Sequence, residues 1–260
     1  MSTVRLVAHQ FRYDQRTFWR EPAAVFFTVA LPLIFLFLFV AIFGNDDVEL
    51  ASGTTVRAAV YYVPGIITLS MVSATTVNLA IGITAMRERG MLKRLRSTPL
   101  PPWVFFAGRV CTASVITLVM VVLICGLGSL VYDVDLPLET VPGVLVSVII
   151  GTASGCFLGF LLTAIIPSEN AAPAVTNAIM LPLYFISGIF VPNDNLPDFM
   201  ERIADVFWIS HLAEALQTAF DPTTEAPGIA WGDIAAVAAW GLAALLVALR
   251  VFRWTPRGAS

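Results

Sequence analysis

The chain has 260 residues, of which 58% are hydrophobic and only 13% are charged, and its formal net charge is −3. Soluble domains are about 45–50% apolar and about one quarter charged. This composition excludes an ordinary soluble enzyme or binding domain, because the polar surface that water requires is missing, and lipid is the expected solvent.

Residues 1–22 predict an amphipathic helix. One helical face carries Val4, Val7, Ala8, Phe11 and Phe18, and another carries Arg5, His9, Arg12 and Arg16. A helix with these two faces lies in the plane of the membrane surface, and Trp19 is expected at the lipid boundary.

Six apolar segments follow, each long enough at about 1.5 Å per residue to cross a hydrocarbon core of about 30 Å. The predicted spans are about 23–43, 61–85, 104–131, 141–166, 173–191 and 231–252. Residues 192–228 predict two short amphipathic helices on or in the outer leaflet, with Ser210 as the cap of the second. We therefore expect one all-α integral membrane domain over residues 1–260, with Pro32 kinking the first span.

The basic residues predict the orientation. Twelve of the fifteen Lys and Arg residues fall in the two terminal segments and the loop 86–103, and only Arg57 and Arg202 fall on the other side. Arg109 lies just inside the third span and is expected to snorkel toward the basic side. The positive-inside rule then places both termini in the cytoplasm of a multi-pass cell-membrane protein.

The loop 86–103 contains Arg87, Arg89, Lys93, Arg94 and Arg96. Its interior predicts a short helix whose apolar face is Met91, Leu92 and Leu95. Three prolines, at positions 99, 101 and 102, end that helix. A loop that only sets topology needs charges but no apolar face, so we interpret this helix as a docking surface for a soluble partner.

The sequence from Glu88 to Leu100, ERGMLKRLRSTPL, resembles the cytosolic loop of ABC-2 type permeases, especially the daunorubicin-resistance-like drug exporters. The resemblance extends over the whole chain in layout, and more loosely to residues 182–196. It implies that the loop is a coupling helix resting on an ATP-binding subunit. The residues implied in that contact are Glu88, Arg89, Gly90, Met91, Leu92, Lys93, Arg94, Leu95 and Arg96.

The same resemblance implies a complex with two ATP-binding subunits, which hold ATP and Mg, and a second permease chain, identical or homologous. This chain itself would bind no cofactor. The implied substrate is a drug, an antibiotic or a lipid-like amphiphile that is moved out of the cell. Export of a polysaccharide or a lipid-linked glycan is the alternative within the same class.

Motifs for catalysis are missing from the sequence. It contains neither the P-loop pattern for nucleotide binding nor the H-E-x-x-H zinc motif. The two histidines, His9 and His211, are predicted on opposite membrane faces, so we expect no metal site, and nothing suggests a nucleic-acid partner. Cys111, Cys125 and Cys156 lie within apolar segments and are expected to be buried hydrophobes.

Two rival functions remain at this stage. An intramembrane lipid-modifying enzyme would need a catalytic acid, His or Cys set at one membrane depth, and the sequence offers no such set. A membrane anchor without transport would not need the hydroxyl-rich second span.

Small residues recur every four positions in the fourth span, at Ser147, Gly151, Gly155, Gly159 and Thr163. Such a ribbon lets another helix approach closely. It indicates either a dimer interface or a moving contact, or close packing within this chain.

Polar groups inside the spans are neutral, with no Asp, Glu or Lys in mid-span, which argues against an ion-driven pump. We predict that the substrate pathway includes Thr68, Thr75, Asn78, Thr176 and Asn177. The alternative is that the hydroxyl groups bond to the backbone of their own helices.

Overall fold

The computed structural model describes residues 3–43, 47–49, 53–97, 101–190 and 197–252. Within these ranges the chain is helical except for connecting turns and one two-stranded antiparallel hairpin. The strands are β1 (Asp47–Glu49) and β2 (Thr55–Arg57). The helices are α1 (Thr3–Arg20), α2 (Pro22–Phe43), α3 (Ala58–Glu88), α4 (Met91–Arg96), α5 (Pro102–Tyr132), α6 (Val141–Leu162), α7 (Ala172–Ile186), α8 (Asp198–Ala204), α9 (Trp208–Phe220) and α10 (Trp231–Val251).

Five of these helices are long and apolar enough to cross a membrane, namely α2, α3, α5, α6 and α10. The sixth predicted span, 173–191, corresponds to α7, which has 15 residues and a length of about 22 Å. It ends at Ile186 and is followed by Gly188 with φ of 71°. The all-α membrane architecture is therefore confirmed, while α7 is shorter than a typical bilayer span.

The centre of the bundle is α3, whose residues from Ala58 to Val72 are buried almost without exception. A helix that is apolar on all sides is expected in a core. It packs against α2, α5, α6 and α9. A π-helical turn, Ser73–Val77, lies in its middle. A second π-helical turn, Phe26–Ala30, precedes Pro32 in α2, where the proline has no N–H to donate.

The amphipathic helix α9 enters the bundle instead of resting on its surface. It begins at Trp208, so Ser210 lies in its first turn and the predicted cap at that position is wrong. The ring of Phe207 stacks on Trp240, and Trp240 Nε1 donates to the Val206 carbonyl over 2.8 Å. Because Trp240 lies about 13 Å along α10, the start of α9 packs beside the middle of that helix.

The bundle has two ends, which we name the α4 end and the hairpin end. The α4 end contains α1, α4 and the turn 163–171 between α6 and α7. The hairpin end contains β1, β2 and the start of α10. Arg57 of the hairpin donates to the Asp133 carbonyl at the end of α5 over 2.8 Å. The hairpin lies between the first two predicted spans, 23–43 and 61–85, where no strand was predicted.

Candidate functional site: the coupling loop and its surroundings

The short helix α4 follows α3 after a single sharp turn. The amide of Gly90 donates to the Arg87 carbonyl, and Gly90 adopts φ of 70°, a conformation that residues with a Cβ rarely take. The helix then runs for six residues, and the Ser97 hydroxyl donates to the Lys93 carbonyl at its end. The sequence therefore builds a separate helix at the predicted place in the loop.

The apolar face of α4 is divided between the core and the surface. Leu92 is fully buried and belongs to a cluster with Ile83 and Phe105, whereas Met91 and Leu95 are half-buried. We predicted that all three residues contact a partner. Leu92 instead anchors α4 to its own chain, because packing against α3 and α5 removes this apolar side chain from water.

A groove of about 260 Å³ opens between α1 and α4. It is lined by His9, Gln10, Tyr13, Met86, Met91, Leu95 and Phe105. Lys93 and Arg94 are exposed on α4. The side chain of Arg96 lies outside the described residues. Of the predicted coupling residues, Met91 and Leu95 in the groove and the exposed Arg89, Lys93 and Arg94 are the ones that a partner can reach.

The other charged residues of the loop are engaged within the chain. Arg87 is buried and donates to the carbonyls of Thr163 at 2.7 Å and Ile166 at 2.8 Å, while its Nε lies 3.0 Å from Glu88. Arg89 donates to both carboxylate oxygens of Glu169, with one distance of 3.1 Å. Glu88 contacts its neighbour Arg87, whereas Arg89 joins the loop to Glu169 and keeps 65% of its side chain exposed. The predicted contact of these two residues with a partner stays a prediction.

The amphipathic helix α1 is attached to α5 by a buried acid. Asp14 is 1% exposed, accepts a bond of 3.1 Å from Gln10 and lies 3.6 Å from Arg109 Nε. Burial raises the pKa of Asp14, and Arg109 and Gln10 act against that rise. The guanidinium of Arg109, expected to snorkel toward the basic side, turns to Asp14 of α1 and to the Met86 sulfur at the α4 end.

The predicted pathway residues are not brought together as one polar lining. Thr68, Thr75 and Thr176 are buried, and each hydroxyl donates to a carbonyl four residues earlier in its own helix. Asn177 is exposed, whereas Asn78 is half-buried with its Nδ2 atom unpaired among the described residues. The pathway therefore stays a prediction, and three of its five residues serve the helices in this conformation.

The glycine ribbon of α6 faces other helices of the same chain. A Cβ at Gly151 would lie 2.6 Å from Leu212 of α9, and one at Gly159 would lie 3.0 Å from the Thr76 carbonyl of α3. Gly155 is close to Thr75, and its carbonyl accepts a bond of 2.9 Å from Thr76. Ser147 is buried and donates to the Gly143 carbonyl at 2.8 Å. In this structure the ribbon packs within the chain.

A second charged cluster, which was not predicted from the sequence, lies toward the hairpin end. His211 Nδ1 is 2.9 Å from Asp233 Oδ1, and His211 Nε2 is 2.9 Å from the Asp205 carbonyl. Glu214 completes a set whose potential ligand atoms lie within 4.8 Å of one another. The His211–Asp233 contact has the geometry of a hydrogen-bonded ion pair. The spacing of His211 and Glu214 on one helical face was the available signal.

Comparisons with known proteins agree with the architecture. The family model described as ABC-2 type transporter matches residues 6–220. The chain is 28% identical over 196 residues to the daunorubicin resistance ABC transporter permease protein DrrB1 of Streptomyces coeruleorubidus, covering 75% of this chain and 67% of that protein. It is 22% identical over 185 residues to the putative transport permease YvfS of Bacillus subtilis, covering 71% and 73%.

A third relative, the probable multidrug ABC transporter permease YbhR of Escherichia coli, is 21% identical over 154 residues. That match covers 59% of this chain and 42% of YbhR, so the chain spans less than half the length of that relative. The family match covers most of the chain, including α1, α4 and the groove between them. The chain belongs to the ABC-2 type transporter family and is a multi-pass membrane subunit of an ABC transporter.

Proposed function

We propose that this chain is the permease of an ABC exporter and that a separate ATP-binding subunit docks in the groove between α1 and α4. The observation that supports the proposal is the groove itself, with Tyr13, Met91 and Leu95 accessible and with Lys93 and Arg94 exposed on α4. An apolar groove with charges at its edge has the anatomy of a protein-binding site. ATP and Mg²⁺ would be bound by that subunit.

The proposed cargo is a drug, an antibiotic or a lipid-like amphiphile that leaves the cell. The name of DrrB1 refers to daunorubicin resistance, and that of YbhR refers to multidrug transport. The apolar spans with scattered neutral hydroxyls suit an amphiphile. We further propose a complex of two permease chains and two ATP-binding subunits, with α1 and α4 on the cytoplasmic side of the cell membrane.

The docking proposal is tested with a variant that truncates two residues of the groove, Tyr13→Ala with Leu95→Ala. Truncating anchors at the centre of an interface commonly costs more than about 1 kcal/mol each. We therefore expect the affinity for the co-purifying ATP-binding subunit to fall on the order of tenfold. The matched control is Phe199→Ala with Val206→Ala, two residues toward the other end that are 59% and 58% exposed.

Orientation is measured in the same preparations. Single cysteines at Ser97 and Thr223, both exposed, should react from opposite sides of the membrane after the three native cysteines are replaced. Lys93→Glu with Arg94→Glu should weaken binding of the ATP-binding subunit without changing that labelling. Unchanged binding in both the groove variant and the charge-reversed variant would remove the groove as the docking site.

A further inference from the structure

The junction between α3 and α4 is fastened to a distant part of the chain. Arg87, the penultimate residue of α3, is 2% exposed. Its two terminal nitrogens donate to the Thr163 and Ile166 carbonyls, which are 76 and 79 residues away in sequence. The last carbonyls of a helix lack partners within the helix, and a cation near them is favourable. Arg87 therefore closes the end of α6.

A second arginine holds the other side of the same turn. Arg89 makes a two-point contact with the Glu169 carboxylate, and Glu169 lies three residues before α7 begins at Ala172. Paired N–H donors of arginine fix the geometry of a carboxylate as well as attracting it. Arg87 thus binds the first part of the turn 163–171, and Arg89 binds Glu169 near its end.

Apolar packing supports these bonds from inside the bundle. Ala80 of α3, Ile166 of the turn and Ala172 of α7 are each 0% exposed and form one cluster. Packed interiors are stiff and transmit displacement. The turn is therefore joined to α3 by packing and by two arginines, and α4 follows α3 through only the two residues Arg89 and Gly90.

We propose that Arg87 and Arg89 join the loop 86–103 and the turn 163–171 into one mechanical unit. Displacement of α4 is then transmitted to α6 and α7. Arg87 is then a positioning residue of the transport cycle. This proposal rests on the proposed function, since it requires an ATP-binding subunit that moves α4. It assigns Glu169 a partner within the chain and a role in transmission.

The link has a direct consequence for the two helices that it joins. α6 carries the glycine ribbon through which α3 and α9 approach it, and α7 carries Thr176 and Asn177. A shift at the α4 end therefore reaches the close contacts of α6 with α3 and α9 without passing through α5.

The test uses the complex of the full chain with its co-purifying ATP-binding subunit, reconstituted in lipid. Hydrogen–deuterium exchange is measured over residues 163–186 without nucleotide and with vanadate-trapped nucleotide. Exchange in the unaltered complex should change on trapping. In Glu169→Arg, which places a third arginine beside Arg87 and Arg89, that change should be lost while the ATP-binding subunit stays bound.

The double variant Arg89→Glu with Glu169→Arg restores an ion pair of reversed polarity, and it should regain the change in exchange. Glu169→Gln provides a milder break if the charge reversal prevents folding. The change should also be lost in Arg87→Met, which removes the donors to the Thr163 and Ile166 carbonyls. Retention of the nucleotide-dependent change in Arg87→Met and in both Glu169 variants, or no recovery in the double variant, would overturn the mechanical link. If no ATP-binding subunit co-purifies with the unaltered chain, the proposed function itself fails, and the two failures are thus distinguished.

Discussion

The α4 end and the helix α9, which lies toward the hairpin end, are both held by charged side chains, but by different kinds. At the α4 end the cations are Arg87, Arg89 and Arg109. At α9 the cation is the imidazolium form of His211, between Asp233 and the Asp205 carbonyl. Arginine keeps its charge at every physiological pH, whereas histidine titrates near neutrality. The cationic charge in the first set of contacts is therefore constant near neutral pH, whereas that in the second depends on protonation.

The difference matches the role that we propose for the α4 end. A link that transmits force from a docked subunit has to persist through the whole cycle. The contacts around α9 involve groups whose charge changes between about pH 5 and pH 8.

The largest effect is expected at the glycine ribbon of α6, the helix that runs between the two ends of the bundle. Gly155→Leu places a branched side chain against Thr75 and Thr76 of α3, which forces the two helices apart. Overpacking commonly costs about 1–3 kcal/mol and occasionally more. Because a Cβ at Gly155 would already lie 3.0 Å from Thr75 Cβ, we expect the leucine to cost more than that range. We expect a large loss of folded protein in the membrane, measured as the monodisperse fraction after extraction in mild detergent.

The matched control for that substitution is Gly126→Leu in α5. A Cβ at Gly126 meets no atom within 4 Å among the described residues. This variant should therefore be extracted at the level of the unaltered chain. Equal yields from the two variants would mean that the close contact between α6 and α3 does not hold the two ends together.

A smaller but substantial effect is expected at the buried contacts of Arg87. Arg87→Met keeps most of the side-chain volume but leaves the Thr163 and Ile166 carbonyls without their donors. Hydrogen bonds to charged groups contribute about 1.5–3 kcal/mol each in net terms. We expect the free energy of unfolding to fall by about 3 kcal/mol, measured by denaturant titration in detergent.

Lys93→Gln is the control for Arg87→Met, since Lys93 is an exposed basic residue of the same loop. A surface substitution of this type usually changes stability by less than about 0.5 kcal/mol. A similar loss in both variants would show that general positive charge, and not the two carbonyl bonds of Arg87, stabilises this end.

Local pattern was sufficient to predict much of this architecture. The apolar segments gave the long helices, because length and hydrophobicity alone decide what crosses a bilayer. The alternation of charged and apolar residues gave α1 and α4. The helix α7 was predicted too long, because the apolar composition continues beyond Ile186 although the chain turns at Gly188.

Contacts between distant residues could not be predicted in the same way. The burial of Leu92 depends on how α3 and α5 approach one another, and nothing local distinguishes it from Met91. Arg87 resembles any basic residue of a cytoplasmic loop until Thr163 and Ile166 are placed beside it. Glu169 offered a signal that was missed, since it is the charged residue of a very short turn.

The smallest expected effect is a dependence of stability on pH near α9. Burial lowers the pKa of His211, but the bonds to Asp233 and the Asp205 carbonyl and the charges of Asp233 and Glu214 together raise it above its ordinary value. Burial and the charge of Asp233 raise the pKa of Glu214 to about 7. Both groups therefore hold protons in the folded chain that the unfolded chain has released.

Stability falls with rising pH wherever the folded state binds more protons than the unfolded state. The contribution of His211 is complete below about pH 6.5 and is lost as the pH rises through its higher folded value. Glu214 acts in the same direction between about pH 4.5 and pH 7. The melting temperature should therefore fall between pH 6 and pH 8, by roughly 2–4 °C for each kcal/mol lost.

The variant His211→Gln with Glu214→Gln removes both titrating groups at once, which matters because the two influence one another. It should show a flatter melting temperature over the same range, measured by intrinsic fluorescence in detergent. His9→Gln is the matched control, since His9 is the other histidine of the chain and lies exposed on α1. The control should keep the original slope. If the double variant also keeps the slope, the pH dependence comes from other groups. The contrast between constant arginine charges at the α4 end and a protonation-dependent charge at α9 then does not hold.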